Sequence, residues 1–517
     1  MEQIRIIERL GYSLANPSCE AYTNLCFKPK QIQCFEYLLE GHDVIAILPT
    51  GYGKSLMFHL LPWVLPVKTR GENNIVLVVC PLSSIIKDQI SVLNERGIRA
   101  ESLPNIIDEK KRTVDSDLFP CDQSRPDIQI CTKILQAEID ILFGHPESFL
   151  SSQGRELLQS PLYQRRVVAC VVDEAHCVST WGQNFRKDFG KLAVLRSYID
   201  NVRFLAVTAK STKTKAEEFS KTLCLKRLKI VSVSPNRKNI FLSLYQRKPS
   251  LYGFNGVKDI LLPIAKSLMA DKRSFPITVI YMKLVFCGMA YRFFDKVLGD
   301  EQYVGKIKSP RTRLFNQFHS PSTPGMKNDI LEEIKNEDSR IRLLFATTAL
   351  GMGVDAPDIK HVIHIGVPSS IESYVQEFGR AGRTNKESWA TLYYNNSDIG
   401  KNTHVEDSIR NYCITDGCLR KYLANYFGFE CLNQRRCCTK CNPELAFKIN
   451  LKETKRRLDE SCIGILKQKI TACFEKYNEV EPSYSFLELN VPILPTADEI
   501  IEKINGNKTY YLTLIFY

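Results

Sequence analysis

The sequence predicts an α/β protein built on two parallel β-sheets that are covered by helices. Short apolar runs alternate with amphipathic segments in the first half of the chain, and the same alternation returns in the second half. This pattern is typical of parallel sheets whose strands are buried on both faces. With 517 residues, the chain is long for one hydrophobic core. We therefore expect several domains.

Five apolar runs make up the first predicted sheet. They are 43–48, 74–80, 140–143, 167–172 and 202–209. An amphipathic helix is predicted between two of them, at 84–97. Ligands of such sheets bind at the carboxyl ends of the strands, where segments 49–55 and 173–176 both fall.

The first of these segments, LPTGYGKS (48–55), reads as a phosphate loop between a strand and a helix. Gly51 and Gly53 allow backbone N–H groups to turn toward phosphates. Lys54 supplies a positive charge near the β- and γ-phosphates, and the Ser55 hydroxyl is a ligand for Mg²⁺. The segment therefore predicts nucleotide binding.

A pair of carboxylates at the end of a buried strand completes this prediction. The strict phosphate-loop pattern has Gly where this chain has Leu48, so the loop alone is also compatible with a Gly-rich turn and a solvated lysine. The DEAH segment (173–176) argues against that alternative. Asp173 is predicted to hold Mg²⁺, and Glu174 to orient or deprotonate the attacking water. Together the two segments predict an ATPase.

The second sheet is predicted from three further apolar runs. They are 277–282, 341–348 and 361–366. Segments 104–138 and 299–326 are interpreted as excursions between elements. A segment rich in Pro, Asn and Arg near 229–239 is predicted to join the two domains.

An arginine pair follows the second set of strands. In ESYVQEFGRAGR (372–383), Gln376, Arg380 and Arg383 are spaced by four and three residues, which predicts one face of a helix. Guanidinium groups bind phosphate oxygens in a bidentate manner, so these arginines are candidates to reach the γ-phosphate across a cleft. The alternative is a basic helix face that is exposed to solvent.

Composition and charge narrow the class of protein. Hydrophobic residues at 44% indicate a globular chain, and the net charge of +13 suits a polyanionic partner. Apolar stretches such as 58–67 are too short to cross a bilayer, and the amino terminus does not resemble a signal peptide. We expect an intracellular protein without a membrane partner.

The eighteen cysteines are expected to be reduced in that setting. Cys80 and Cys170 lie in apolar runs and are predicted to be small buried hydrophobic residues. Six cysteines crowd between 413 and 441, and this density calls for a separate explanation.

Taken together, these motifs resemble the RecQ family of DNA helicases, a branch of helicase superfamily 2, over residues 20–445. The segments that carry the resemblance are 27–31, 80–89, 173–186, 205–209, 234–239, 346–358 and 373–383.

For the nucleotide site, the resemblance implies two RecA-like domains with ATP between them and Gln31 facing the adenine base. It implies catalytic roles for Lys54, Asp173, Glu174, Arg380 and Arg383. The implied cofactor-binding residues are Phe27, Lys28, Gln31, Thr50, Gly51, Tyr52, Gly53, Lys54, Ser55, Gly353, Asp355 and Gln376.

An aromatic loop after the DEAH segment is the implied sensor of DNA. Trp181, Phe185 and Arg186 are the candidates to contact unpaired bases, at a stacking energy of roughly 1–3 kcal/mol per base. The alternative is that Trp181 packs under the loop. Gln183 stands where the family usually has His, so coupling of DNA binding to hydrolysis is expected to be altered.

The cysteine cluster resembles the zinc module of the family, a helical hairpin closed by a CxxC knuckle. The implied Zn²⁺ ligands are Cys418, Cys431, Cys438 and Cys441. The spacing leaves open that Cys437 replaces Cys431 or Cys438, that Cys413 takes part, or that disulfides form instead.

The domain limits expected from this resemblance run in chain order. They are 1–232 for the first RecA-like domain, 233–399 for the second, 400–445 for the zinc module and 446–517 for a short α/β tail. The tail is compatible with a truncated or divergent winged helix, or with a different fold. Segment 281–290 and Thr384 also depart from the family pattern, which would weaken activity.

The expected function is ATP-dependent 3′–5′ unwinding of DNA in repair, recombination or replication, with ATP, Mg²⁺ and Zn²⁺ as cofactors. The expected partner is DNA, both single-stranded and as a 3′-tailed duplex. The expected compartment is the nucleus, or the cytoplasm for a prokaryotic source. Two alternatives stay open: an RNA-directed DEAH helicase, and a nucleic-acid-binding regulator with weakened unwinding.

Overall fold

The computed structural model describes residues 27–69, 72–104, 132–180, 187–248, 253–305, 307–336, 338–351, 359–401, 403–431 and 436–445. Within these ranges the chain forms two β-sheets, and every strand pair in both is parallel. The predicted fold of two helix-covered parallel sheets is therefore confirmed. No helix in these ranges has both the length and the apolar character that a bilayer span requires.

The first sheet contains seven strands in the order β3-β4-β2-β5-β6-β1-β7. They are β1 (Val44–Ile47), β2 (Ile75–Val79), β3 (Ala100–Ser102), β4 (Ile141–Gly144), β5 (Val167–Val172), β6 (Arg203–Thr208) and β7 (Lys229–Ser232). The five predicted apolar runs supply β1, β2, β4, β5 and β6. The two edge strands were not predicted.

Helices surround this sheet, and together with it they are termed the first lobe. They are α1 (Pro29–Leu39), α2 (Lys54–Val64), α3 (Ser83–Glu95), α4 (Pro146–Leu150), α5 (Ser152–Gln159), α6 (Pro161–Arg166), α7 (Cys177–Thr180), α8 (Leu195–Tyr198) and α9 (Lys213–Thr222).

The core of the first lobe lies on both faces of the sheet. Along β1, Val44 and Ala46 pack in one apolar cluster, whereas Ile45 and Ile47 pack in another on the opposite face. All four side chains are buried. This two-sided burial explains why the central strands are continuous apolar runs in the sequence.

The second sheet contains six strands in the order β10-β11-β9-β12-β13-β8. They are β8 (Ile240–Gln246), β9 (Thr278–Tyr281), β10 (Phe315–Phe318), β11 (Leu343–Ala346), β12 (His361–Ile365) and β13 (Ser388–Tyr394). Only β9, β11 and β12 were predicted, and β10 lies within the segment 299–326 that we interpreted as an excursion.

The second sheet, the four helices between its strands and the two helices that follow it are termed the second lobe. These helices are α10 (Asn255–Asp271), α11 (Leu284–Leu298), α12 (Pro324–Lys335), α13 (Ile371–Phe378), α14 (Asp407–Ile414) and α15 (Leu419–Tyr426). Tyr412 of α14 and Leu423 of α15 belong to the same apolar cluster as Leu242 of β8. The helical pair therefore shares its core with the sheet.

Candidate nucleotide site and cysteine cluster

The phosphate loop connects β1 directly to α2. Gly51 and Gly53 have φ values of +79° and +89°, in the left-handed region that favours glycine. Gly53 is the residue immediately before the helix, which begins at Lys54. The loop thus directs the free N–H groups of the first turn of α2 toward a position where an anion would bind.

Lys54 lies at the base of this loop, where its Nζ donates a hydrogen bond of 3.2 Å to the Leu48 carbonyl. Burial lowers the pKa of Lys54, and the charges of Glu174 and Asp173 oppose that effect. The charge of Arg383 also lowers this pKa, so an arginine of the second lobe lies within electrostatic range of the loop lysine. The predicted lysine, carboxylates and arginine are therefore brought together.

The two carboxylates follow β5. The Asp173 N–H donates to the Val79 carbonyl at 2.9 Å, and Asp173 Oδ1 accepts the Glu174 N–H at 2.9 Å. Burial and the neighbouring Glu174 charge raise the pKa of Asp173. Glu174 has a φ of +50°, which is strained for a residue with a side chain. Both carboxylates nevertheless lie near enough to Lys54 for their charges to raise its pKa.

A histidine–threonine pair supports Glu174. His176 Nδ1 lies 3.3 Å from Glu174 Oε2 and 3.2 Å from Thr208 Oγ1 at the end of β6. Burial acts to raise the pKa of Glu174, but the hydrogen bond and charge of His176 and the charge of Lys54 lower it overall. Glu174 is thus held as a carboxylate. The role of Thr208 was not predicted, although its segment 205–209 was noted.

Gln31 fastens α1 to the phosphate loop. Its side-chain Nε2 donates to the carbonyls of Tyr52 at 3.1 Å and Gly53 at 3.0 Å, and its Oε1 accepts the Lys28 N–H at 2.8 Å. Lys28 Nζ donates to the Gly51 carbonyl at 3.0 Å. Gln31 and Lys28 therefore hold the loop itself. The prediction that Gln31 faces an adenine base stays a prediction.

Other predicted nucleotide residues lie around the same loop. Phe27 packs edge-on against Phe35 at a centroid distance of 5.7 Å. Ser55 is the second residue of α2, and Thr50 lines a narrow crevice of about 20 Å³. Gln376 of the second lobe lines the same crevice. Residues of both lobes therefore meet beside the loop.

The arginine segment is not a continuous helix, and the prediction of one helical face is wrong. Helix α13 ends at Phe378, so it contains Gln376 but neither Arg380 nor Arg383. Gly379 caps the helix, and Gly382, with a φ of +62°, turns the chain away from the helical path. The two arginines lie on the turns that follow α13.

These turns are held by a residue that the sequence did not predict. Arg237, in the segment between the lobes, donates to the Gly379 carbonyl at 3.3 Å and to the Gly382 carbonyl. Arg380 is buried, and its charge lowers the pKa of Tyr281 against the larger effect of burial, which raises it. The only sequence signal for Arg237 was its place in segment 234–239, because its partners lie more than 140 positions away.

Four cysteine sulfur atoms lie within 4.8 Å of one another. They are those of Cys418, Cys437, Cys438 and Cys441. Cys437 thus completes the group in place of Cys431, which corrects the predicted set and follows the alternative left open by the spacing. The reason is local: the Cys437 carbonyl and the Thr439 N–H both bond Leu242 of β8, which fixes this segment beside Cys418.

The cluster has the donors and the dimensions of a thiolate metal site. Cys418 Sγ lies 3.3 Å from Cys437 Sγ and 3.9 Å from Cys438 Sγ. Four Zn–S bonds of about 2.3 Å in a tetrahedron would place sulfur atoms about 3.8 Å apart. Burial acts to raise the pKa of Cys418, but the Lys421 N–H at the start of α15 and the neighbouring thiols lower it overall. The residues therefore fit a soft divalent metal.

Several predicted residues lie outside the described part of the chain. They are the loop residues Trp181, Phe185 and Arg186, the second-lobe residues Gly353 and Asp355, and the tail 446–517. Their predicted roles stay predictions.

Comparison with known proteins extends over both lobes. The sequence model of the DEAD/DEAH box helicase family matches residues 28–219, and that of the helicase conserved C-terminal domain matches residues 285–385. A structure of the DUF1998 helicase MrfA bound to DNA and AMPPNP shares the fold, with a TM-score of 0.54 and 19% identity. That match covers 82% of this chain and 53% of that chain.

Two curated relatives are more similar in sequence. ATP-dependent DNA helicase Q1 of Pongo abelii is 27% identical over 461 residues, covering 86% of this chain and 63% of the relative. RecQ-like DNA helicase BLM of Xenopus laevis is 27% identical over 432 residues, covering 80% of this chain and 27% of the relative. The chain therefore spans less than two thirds of either relative. Both lobes match helicase domain models in chain order, and over most of its length the chain is similar to helicases of the RecQ type.

Proposed function

We propose that the chain is an ATP-dependent DNA helicase that unwinds duplex DNA in the 3′–5′ direction. One observation carries this proposal: Thr50 of the phosphate loop and Gln376 of the second lobe line one crevice, and Arg383 lies near enough to Lys54 to lower the pKa of that lysine. A nucleotide held by both lobes is the arrangement that converts hydrolysis into movement of one lobe against the other.

Nucleotide binding is assigned to the first lobe. The N–H groups at the start of α2 and the charge of Lys54 would neutralise the phosphates. Ser55 and Asp173 would hold Mg²⁺, which supplies charge neutralisation for the transferred phosphoryl group. Burial of Asp173 suits this role, because a divalent cation favours the carboxylate that burial alone disfavours.

Hydrolysis is assigned to residues of both lobes. Glu174, held as a carboxylate by His176, would orient or deprotonate the attacking water. Arg380 and Arg383 would stabilise the charge that develops on the γ-phosphate, an effect on the order of 10³–10⁵ in rate for other nucleotide hydrolases. Both arginines belong to the turn held by Arg237, so their position depends on the join between the lobes.

A DNA substrate is supported by charge and by a cleft in the second lobe. The net charge of +13 suits a polyanion. A cavity of about 710 Å³ opens at the carboxyl ends of β9 and β12, and Lys283, Thr348 and Ser369 lie in its lining. Cations and hydroxyl groups of this kind bind backbone phosphates without reading sequence. Trp181, Phe185 and Arg186 would add base stacking in the first lobe.

The cysteine cluster is assigned to a structural Zn²⁺ ion. Four thiolates complete the coordination sphere, so no position remains for a reacting water. The metal would fix α15 against the edge strand β8, to which Cys438 is bridged at Leu242. Because the relatives compared are eukaryotic and the proposed substrate is DNA, we place the activity in the nucleus.

The test is a strand-separation assay on duplexes that carry either a 3′ or a 5′ single-stranded tail. We expect ATP-dependent unwinding of the 3′-tailed substrate, and ATPase stimulation by single-stranded DNA above that by RNA of equal length. Lys54→Ala is the control and should abolish both activities while retaining DNA binding. Stronger stimulation by RNA would identify an RNA-directed helicase, and stimulated hydrolysis without strand separation would identify a nucleic-acid-binding regulator.

A further inference from the structure

Arg420 is a buried cation beside the cysteine cluster, and each arm of its guanidinium donates to the segment between the lobes. It is 3% exposed and belongs to α15. One arm donates to Asn236 Oδ1 at 2.5 Å and to the Arg237 carbonyl at 3.1 Å. The other donates to the Ile240 carbonyl and to the Cys437 carbonyl at 3.2 Å. A single side chain therefore joins a cluster cysteine to the start of β8.

The segment held by Arg420 also holds the chain at 379–383, which carries Arg380 and Arg383 and is termed the arginine turn. Arg237 donates to the Gly379 and Gly382 carbonyls, and Asn239 Nδ2 donates to the Gly382 carbonyl at 2.8 Å. The packing is close, because a Cβ atom on Gly382 would lie 2.3 Å from Asn239 Nδ2. The turn that carries Arg383 therefore has little freedom to move independently of this segment.

The arginine turn reaches the phosphate loop. The Arg383 charge lowers the pKa of Arg237, after the larger effect of burial, and it also lowers that of Lys54. Hydrogen bonds therefore join Cys437 to Arg420, Arg420 to Arg237, and Arg237 to Gly382, the residue before Arg383. Gly379 at the start of this turn lines the same crevice as Thr50 of the phosphate loop.

We propose that Arg420 is a positioning residue for ATP hydrolysis, which sets the arginine turn through Arg237 and makes turnover depend on the metal state of the cysteine cluster. The proposal rests on the proposed ATPase function. Within the described part of the chain, the hydrogen bonds of Arg420 reach residues 236–240 and Cys437, so its effect on the arginine turn passes through the segment 236–240. A planar fork with two donor pairs is required for these contacts, and lysine cannot replace it.

The test uses the full chain and the substitution Arg420→Lys, which keeps the charge and removes the fork. We expect kcat for ATP to fall about tenfold, and the KM for ATP to change less than about twofold, with the metal content unchanged. The melting temperature should fall, because carbonyl groups that the fork paired are left buried without a donor. Arg436→Lys is the matched control, because Arg436 also follows the α15 segment next to the cluster but stacks 4.7 Å over the Trp389 ring and pairs with Glu387. It should leave kcat unchanged.

A double-mutant cycle decides whether the two arginines act in series. Arg237→Lys should lower kcat, and adding Arg420→Lys should lower it little further, whereas independent roles would multiply the two losses. Multiplied losses, or wild-type kcat in Arg420→Lys, would overturn the proposal. If Arg420→Lys does not fold, the metal is removed from wild type and from Arg237→Lys instead. We then expect metal removal to lower kcat in wild type but to lower it little further in Arg237→Lys. An equal fold-loss of kcat in both proteins would overturn the proposal. Absence of ATPase in wild type would instead refute the proposed function.

Discussion

Lys215 of α9 donates a hydrogen bond of 2.6 Å to Glu372 of α13, and this pair joins the first lobe to the helix that carries Gln376. Glu372 is 5% exposed and also accepts the Tyr426 hydroxyl at 2.8 Å. Burial acts to raise the pKa of Glu372, but the hydrogen bond and charge of Lys215 lower it overall. One carboxylate therefore connects elements of both lobes and of the cysteine-bearing helical pair.

Removing the cation should weaken closure of the lobes around ATP. We expect Lys215→Met to raise the KM for ATP several-fold and to lower stability by about 1 kcal/mol, since the lysine is partly solvated. Lys221→Met, at an exposed position near the end of the same helix, is the control. Steady-state kinetics and thermal melting check both effects. An unchanged KM would show that this ion pair does not contribute to closure.

The elements that the sequence predicts well are those whose signal is local. Central strands such as β5 and β12 are continuous apolar runs because they are buried on both faces. The edge strand β10 (Phe315–Phe318) carries two polar residues among prolines and serines, so no local pattern marks it. The phosphate loop and the DEAH segment were likewise readable, because each is one short stretch of chain.

Features that depend on distant contacts could not be predicted. Spacing alone placed Arg380 and Arg383 on a helix, but two glycines end that helix. The resemblance favoured Cys431 as a ligand and left Cys437 as an alternative, and it is the hydrogen bond between the Leu242 N–H and the Cys437 carbonyl that places Cys437 in the cluster. The role of Arg237 could not be predicted either, because the carbonyl groups that it binds, those of Gly379 and Gly382, come close only when the chain folds.

Glu174→Gln should separate nucleotide binding from hydrolysis. The amide keeps the shape of the side chain but cannot accept a proton from water, so we expect kcat to fall about 10²–10⁴-fold. ATP affinity should stay within a few-fold of wild type, because Lys54 and the α2 N–H groups are unaltered. Single-turnover hydrolysis and binding of a fluorescent ATP analogue check the two quantities. A large loss of affinity would assign Glu174 to nucleotide binding.

Substitution of single cysteines distinguishes the two candidate ligand sets. We expect Cys437→Ser to lose stoichiometric zinc and to melt at lower temperature, because a structural metal contributes directly to folding. Cys431→Ser should keep about one zinc per chain. Elemental analysis of both purified proteins gives the result. Loss of zinc from Cys431→Ser but not from Cys437→Ser would identify Cys431 as the ligand. About one zinc per chain in both variants would show that neither thiol is an essential ligand.

Buried histidines should make the fold sensitive to mild acid. His361 in β12 is buried beside Thr391, with 2.9 Å between Nε2 and Oγ1, and burial lowers its pKa to about 3. The unfolded chain binds a proton on this group near pH 6.5 and the folded chain does not. The contribution of neutral His361 to the free energy of unfolding is therefore fully present above pH 6.5. It decreases as the pH falls, by about 1 kcal/mol at pH 5.5.

His361→Gln tests whether His361 contributes to the pH dependence of stability. A comparison of two pH values separates this from the effect that the substitution has on stability at any pH. The quantity to measure is the decrease in melting temperature between pH 7.5 and pH 5.5, which we expect to be smaller in the variant than in wild type even if the variant melts lower at both values. His404→Gln changes an exposed histidine and should reproduce the wild-type decrease. His59 is buried too, and burial lowers its pKa to about 4, so part of the decrease should persist in His361→Gln. A decrease equal to that of wild type would show that His361 is not protonated on unfolding in this range.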